Sequence, residues 1–217
     1  MAWAAAAALG AGAGAIHVHV RGPDLEQSLA AADVARCLTA VRDAVNGAPV
    51  GISTLLSIVP DPDRRIATVS EWSVLPDFVS VNFNEAGSPA LAKLLIERGV
   101  GIEAGLFDAA AAETLIKSGL AGQCLRILIE PRGADVQAAI ASANEIVAVL
   151  DKATVTVSRL LHGSNATAWG VMDEAARRGY DTRAGLEDTL TMPDGTQAVD
   201  NAEIVTEAKR RVDRLPA

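Results

Sequence analysis

Histidine is nearly missing from this chain: there are three in 217 residues. Cysteine is rarer still. Cys37 and Cys124 stand far apart, which excludes a disulfide framework and a zinc-finger spacing. Both fall in apolar stretches and read as small core residues, a pattern that suits a reducing cytoplasm. Aromatic residues make up only 3%, so alanine and valine must do most of the core filling. Basic residues are outnumbered, 19 Lys and Arg against 27 Asp and Glu, for a formal charge of −8. No basic stripe is present, which argues against a nucleic-acid surface; the acidic balance implies solubility. No apolar run is long enough for a membrane. The alanine-rich start, Met1–Gly10, is shorter than a span of about 20 residues and lacks the positive segment of a signal peptide. Alanine favours helix, so this segment is expected to be one. No Gly-x-Gly-x-x-Gly follows a strand, so a dinucleotide-binding fold has no support.

Half of the residues are apolar and the mean hydropathy is +0.24, enough for one domain spanning 1–217 with a substantial core. One unit recurs along the chain: an amphipathic helix, a glycine, a β-branched strand and a polar turn. Gly47, Gly99, Gly119 and Gly179 follow the helical stretches, as left-handed stops do. The pattern predicts strands at about 14–20, 49–54, 77–83, 100–104, 124–130, 155–161 and 181–186, and a long helix over about 135–150. Strands alternating with helices indicate parallel βα units, and the series predicts a TIM (β/α)8-type barrel. Seven strands are one short of closure, and open parallel edges are unfavourable. A further strand is therefore expected ahead of Met1.

In such a barrel the chemistry sits at the C-terminal strand ends. His17 and His19 end the first strand and His162 the sixth. Alternate strand residues share a face, which puts His17 and His19 roughly 6–7 Å apart, a spacing that suits two imidazoles on one metal ion. Other polar residues follow the same rule: Ser53 and Thr54, Ser80, Asn82 and Glu85, Glu103, Glu130, then Arg183, Glu187 and Asp188. Two metal sets are open on these grounds. His17 and His19 with a carboxylate from Glu187 would make a zinc site of two imidazoles and one carboxylate, whereas His17, His19 and His162 would make a site of three imidazoles.

Several segments, taken in order, resemble the β-keto acid cleavage enzymes, a family that includes the 3-keto-5-aminohexanoate cleavage enzyme. They are His17-Val-His-Val-Arg21, Asp77–Glu85, Glu103-Ala-Gly105, Leu160-Leu-His-Gly163 and Arg183-Ala-Gly-Leu-Glu-Asp-Thr-Leu190, then Pro193-Asp-Gly195 and Asn201. The resemblance implies a metal-dependent reaction, with zinc as the usual ion, between a small β-keto acid and acetyl-CoA. The products would be acetoacetate and a new acyl-CoA. It implies His17, His19 and Glu187 as metal ligands. It also implies Arg183 and Asp188 as the pair handling the substrate carboxylate and the proton, with Glu103 as a further catalytic residue. Ser53, Thr54, Ser80, Asn82 and His162 are the expected substrate contacts. A cytoplasmic homo-oligomer is expected as well. Departures from the family pattern are Leu55 where relatives carry glycine after the Ser-Thr pair, Arg21-Gly-Pro-Asp-Leu25 in the turn after the histidines, and the absence of an acidic residue expected from a preceding strand. Two other readings stand beside this one: a different metal-dependent TIM-barrel lyase or hydrolase, and a non-catalytic relic that keeps the metal as a clasp.

Overall fold

A computed structural model describes residues 1–215. Six parallel strands form one sheet in sequence order: β1 (Ile16–Val18), β2 (Val50–Ser53), β3 (Phe78–Asn82), β4 (Gly101–Leu106), β5 (Arg126–Ile129) and β6 (Arg159–Leu161). The sheet curls into a half-barrel. Among the described residues eight α-helices accompany it: α1 (Ala2–Gly10), α2 (Ala31–Val45), α3 (Pro62–Ser70), α4 (Ser88–Glu97), α5 (Ala109–Ser118), α6 (Val136–Lys152), α7 (Ala168–Arg177) and α8 (Asn201–Val212). Among the described residues no helix is long and apolar enough to cross a membrane.

The helices begin and end where the local chemistry requires. Asp61, Asp108, Asp135 and Asp200 accept hydrogen bonds from backbone N–H groups in the first turns of α3, α5, α6 and α8. Such a cap contributes about 1 kcal/mol. The four glycines expected to stop helices all have φ between +66° and +86°, where a side chain would be strained.

Valine, leucine, isoleucine and alanine fill the layer between sheet and helices, with Val34, Ile52, Val79, Leu91, Ile102, Ile127 and Ile146 fully buried. Cys37 and Cys124 are buried free thiols, as their surroundings in the sequence imply.

Among the described residues the sheet does not close into a barrel, and the seventh expected strand is the main correction. Only Asp181 pairs, in a single parallel bridge to Leu160. Its N–H and C=O are both spent on β6. The chain then bends at once: Thr182 donates its hydroxyl to Leu161 O, Leu186 N–H goes to Asn201 Oδ1, and Asp188 and Thr189 both bond back to Gly185 O. A strand with a neighbour on one side only gains half the ladder, and here the local turn bonds win.

The sheet therefore ends at β1 on one side and at the Asp181 segment on the other. The helical layer does close, because α1 packs against both α2 and α8. Between these parts lies a cavity of about 1180 Å³, lined by α1, α8, β1 and residues 181–188.

Candidate active site

The histidines and the Arg-x-x-x-Glu-Asp segment come from opposite sides of the open seam. β1 carries His17, and His19 follows it with its ring 5.4 Å from that of His17, centre to centre. The turn after Asp181 carries Arg183, Glu187 and Asp188. His17, His19 and Glu187 each offer a ligand atom within 4.8 Å of the others. Among the described residues this is the one such group of three or more His, Cys, Asp and Glu. His162 is not in it, so the geometry favours two imidazoles with one carboxylate over three imidazoles.

The three residues suit a divalent cation on their own chemistry. Nδ1 of His17 is buried without a hydrogen-bond partner, a costly state for a polar atom unless something binds it. Burial first, and then the charge of Arg183, pull the His17 pKa down to about 3, so its ring is neutral, as ligation requires. Burial opposes ionisation of Glu187. His19 and Arg183 outweigh it and hold the carboxyl at about 2. His19 is fixed from both sides: Nε2 lies 3.1 Å from Glu187 Oε1, and Nδ1 lies 2.6 Å from Gln27 Oε1. Burial pulls its pKa down, but Glu187 and Gln27 raise it on balance.

Beside this group stands a second one. Arg183 donates from Nε and Nη2 to Asp188 Oδ1 at 3.3 and 3.0 Å and from Nη2 to Glu187 at 3.2 Å. Burial disfavours its charge, but Asp188, Glu187 and Glu130 raise its pKa still further. Asp188 is buried. Burial raises its pKa, while His162 and Arg183 together pull it below the usual carboxylate range. His162 lies between two acids, with Nδ1 3.2 Å from Asp188 Oδ1 and Nε2 3.4 Å from Glu130 Oε2.

The remaining expected residues form a third cluster. Ser53, Ser80, Glu103 and Arg126 share one row across β2–β5. Glu103 is buried and held by Arg126, whose Nε and Nη2 lie 2.6 and 2.5 Å from Glu103 Oε1. The Arg126 guanidinium also sits over the Phe78 ring. Thr54 donates to Ser80 O, and Asn82 donates to Glu85. Glu85 in turn receives the wholly buried Arg65 at 2.5 Å, and Arg65 also bonds Thr54 O and Ala86 O, tying the ends of β2 and β3 together. His17, His19, Arg183, Glu187, Asp188 and Glu103 line the large cavity. Ser53, Thr54, Ser80, Asn82 and His162 are buried but do not line it.

Two members of the site have no place in the sequence reading beyond, at most, a strand-end position. Gln27 reaches His19 because Arg21 and Gln27 pair antiparallel across the Pro23-Asp24 turn. Glu130 directly follows β5, ahead of Pro131, and its partner is fixed only once β6 is placed.

A family model described as beta-keto acid cleavage enzyme matches residues 1–217. No curated protein matches the sequence. Among solved structures, apo ObcA is 18% identical with a TM-score of 0.73, covering 96% of this chain and 59% of that one. The ternary complex of ObcA with a C4-CoA adduct and oxalate is 17% identical, with a TM-score of 0.73 and coverages of 97% and 62%. The binary complex of ObcA with oxaloacetate is also 17% identical, with a TM-score of 0.71 and coverages of 96% and 61%. At these identities the likeness establishes the fold. The chain spans about three fifths of the length of these proteins.

Proposed function

The chain belongs to the beta-keto acid cleavage enzyme family, and on that basis we propose that it cleaves a small β-keto acid with acetyl-CoA, giving acetoacetate and a new acyl-CoA. The observation that carries this reading is the convergence of His17, His19 and Glu187 on one point, with the Arg183–Asp188 pair beside them. ObcA, captured with oxaloacetate and with a C4-CoA adduct, supports a keto acid and an acyl-CoA as the substrate classes.

His17, His19 and Glu187 would hold the metal, which we read as zinc from the two-imidazole, one-carboxylate set. When bound, it would act as a Lewis acid on the substrate ketone and make the adjacent carbon acidic. Arg183 orients the substrate carboxylate with its planar guanidinium. Asp188 accepts the proton from the carbon between ketone and carboxylate. Its ion pairing keeps it ionised but only weakly basic, so the reaction depends on that acidified carbon. The resulting carbanion attacks the thioester carbonyl of acetyl-CoA. The CoA thiolate expelled in that step attacks the former ketone carbon and breaks the carbon–carbon bond; the departing acetoacetate carbanion takes the proton back from Asp188, and the acyl group stays on CoA. Glu103 lines the cavity as a proposed catalytic group polarised by Arg126, and Ser53, Thr54, Ser80, Asn82 and His162, proposed from the sequence as substrate contacts, lie behind the cavity wall and would support it.

The test is a screen of β-keto acids with acetyl-CoA for acetoacetate, run beside elemental analysis for zinc. Acetoacetate that depends on both substrates, with about one zinc per chain lost in a His17→Ala/His19→Ala variant, is the expected result. Cleavage without CoA would favour a different metal-dependent lyase or hydrolase. Bound zinc without any turnover would favour a structural clasp.

A further inference from the structure

Oδ1 of Asp188 is crowded. Arg183 Nε and Nη2 reach it at 3.3 and 3.0 Å, and His162 Nδ1 at 3.2 Å. Among the described residues nothing donates to Oδ2. Asp188 lines the cavity, whereas His162 and Glu130 stand behind it. The Asp188 backbone is anchored at both ends, its C=O receiving Asn165 N–H and its N–H donating to Gly185 O. With the backbone pinned and one oxygen taken, the carboxylate has little freedom to rotate.

We propose that His162 is a positioning residue: set between Glu130 and Asp188, it joins Arg183 in occupying Oδ1 of Asp188 and so presents Oδ2 to the cavity as the oxygen that meets the substrate. The inference rests on the reading of Asp188 as proton acceptor. His162 does not line the cavity and stands behind Asp188, which does, so substrate meets Asp188 first. Neither ring nitrogen makes an aligned hydrogen bond here, yet each lies within 3.4 Å of a carboxylate oxygen, so the ring is wedged between the two acids and fills the Oδ1 side of Asp188. Glu130 gives the ring a second anchor on the side away from Asp188. Burial and the charge of Arg183 both oppose an imidazolium here. Asp188 and Glu130 outweigh them and lift the His162 pKa to about 9, which leaves a proton on both ring nitrogens near neutrality.

The scarcity of histidine, three in the whole chain, makes the test tractable. In the full chain, zinc-loaded and labelled with 15N-histidine, a His162→Asn variant assigns the His162 signals by subtraction. The expected result is a doubly protonated His162 ring at pH 7.5. In Asp188→Asn its proton should be lost at a pH lower by about one unit or more. A neutral single-tautomer ring at pH 7.5, or unmoved titration in Asp188→Asn, overturns the proposal.

Kinetics supply a second arm. The amide nitrogen of His162→Asn falls near the Nδ1 position and should keep kcat within about tenfold of the parent. In His162→Gln the amide falls near Nε2, away from Asp188, and kcat should drop by about 10²-fold with KM little changed. Equal losses in the two variants, or a loss confined to KM, also overturn the proposal. If the parent turns over no β-keto acid while the ring behaves as expected, the assigned reaction fails and the clamp stands.

Discussion

Oε1 of Gln27 lies 2.6 Å from Nδ1 of His19, opposite the Nε2 that faces Glu187. As acceptor, Gln27 fixes the proton on Nδ1 and leaves the Nε2 lone pair for the metal. Partners of this kind are worth about 10–100-fold in metal affinity. Gln27→Leu should weaken zinc binding by about that factor, as read by competition with a chelator, while the fold by circular dichroism stays unchanged.

Arg183 reaches Asp188 and Glu187 at once through a planar fork. Lysine keeps the charge but cannot reproduce the fork. Losing one charged hydrogen bond costs about 1.5–3 kcal/mol. Arg183→Lys should therefore lower kcat/KM by roughly 10- to 100-fold with zinc content retained. Loss of zinc in this variant would mean that Arg183 organises Glu187 more than it organises substrate.

The clamp around His162 also makes stability depend on pH. Its pKa in the folded chain, about 9, lies above the ordinary 6.5. The folded state thus binds the proton more tightly, and the contribution is complete below about pH 6.5 and lost as pH climbs through 9. Against His162→Leu, the parent's advantage in urea unfolding should shrink by up to roughly 3 kcal/mol between pH 6 and pH 9.5. An advantage that stays level over this range would show that the buried ring is neutral.

Gly51 makes room for Phe78. A methyl group at Gly51 would lie 2.0–2.4 Å from the Phe78 ring, which is itself buried and cannot swing away freely. Gly51→Ala should destabilise the protein by about 1–3 kcal/mol. A second change, Phe78→Leu, should recover part of the loss in thermal unfolding.

Much of the architecture was legible in the chain because local rules set it. Gly47, Gly99, Gly119 and Gly179 stop helices through their own backbone freedom, and Asp135 starts α6 through its own carboxylate. Neither effect needs a distant partner. The residues after Asp181 fail the same reading because a strand there depends on a neighbour across the seam. The helix stop at Gly179 signals a strand there, but Thr182, Gly185 and Asn201 bind the backbone into a turn. His17 and His19 were visible by period-two spacing, and Glu187 by its place after a strand. Gln27 was not, because its meeting with His19 depends on the Arg21–Gln27 hairpin folding back. The pairing of Glu130 with His162 joins the ends of β5 and β6 and exists only once both strands curve.

The seam gives the proposed metal a mechanical role. His17 lies on β1 at one edge of the described sheet, with His19 just beyond it, and Glu187 follows Asp181 at the other edge, 168 residues from His19 along the chain. An ion gripped by all three would act as a buckle on an unfinished hoop and resist its uncurling. Hydrogen exchange should then slow on both edges together when zinc is added, at residues near 17 and near 182. Chelation should release both edges in one step.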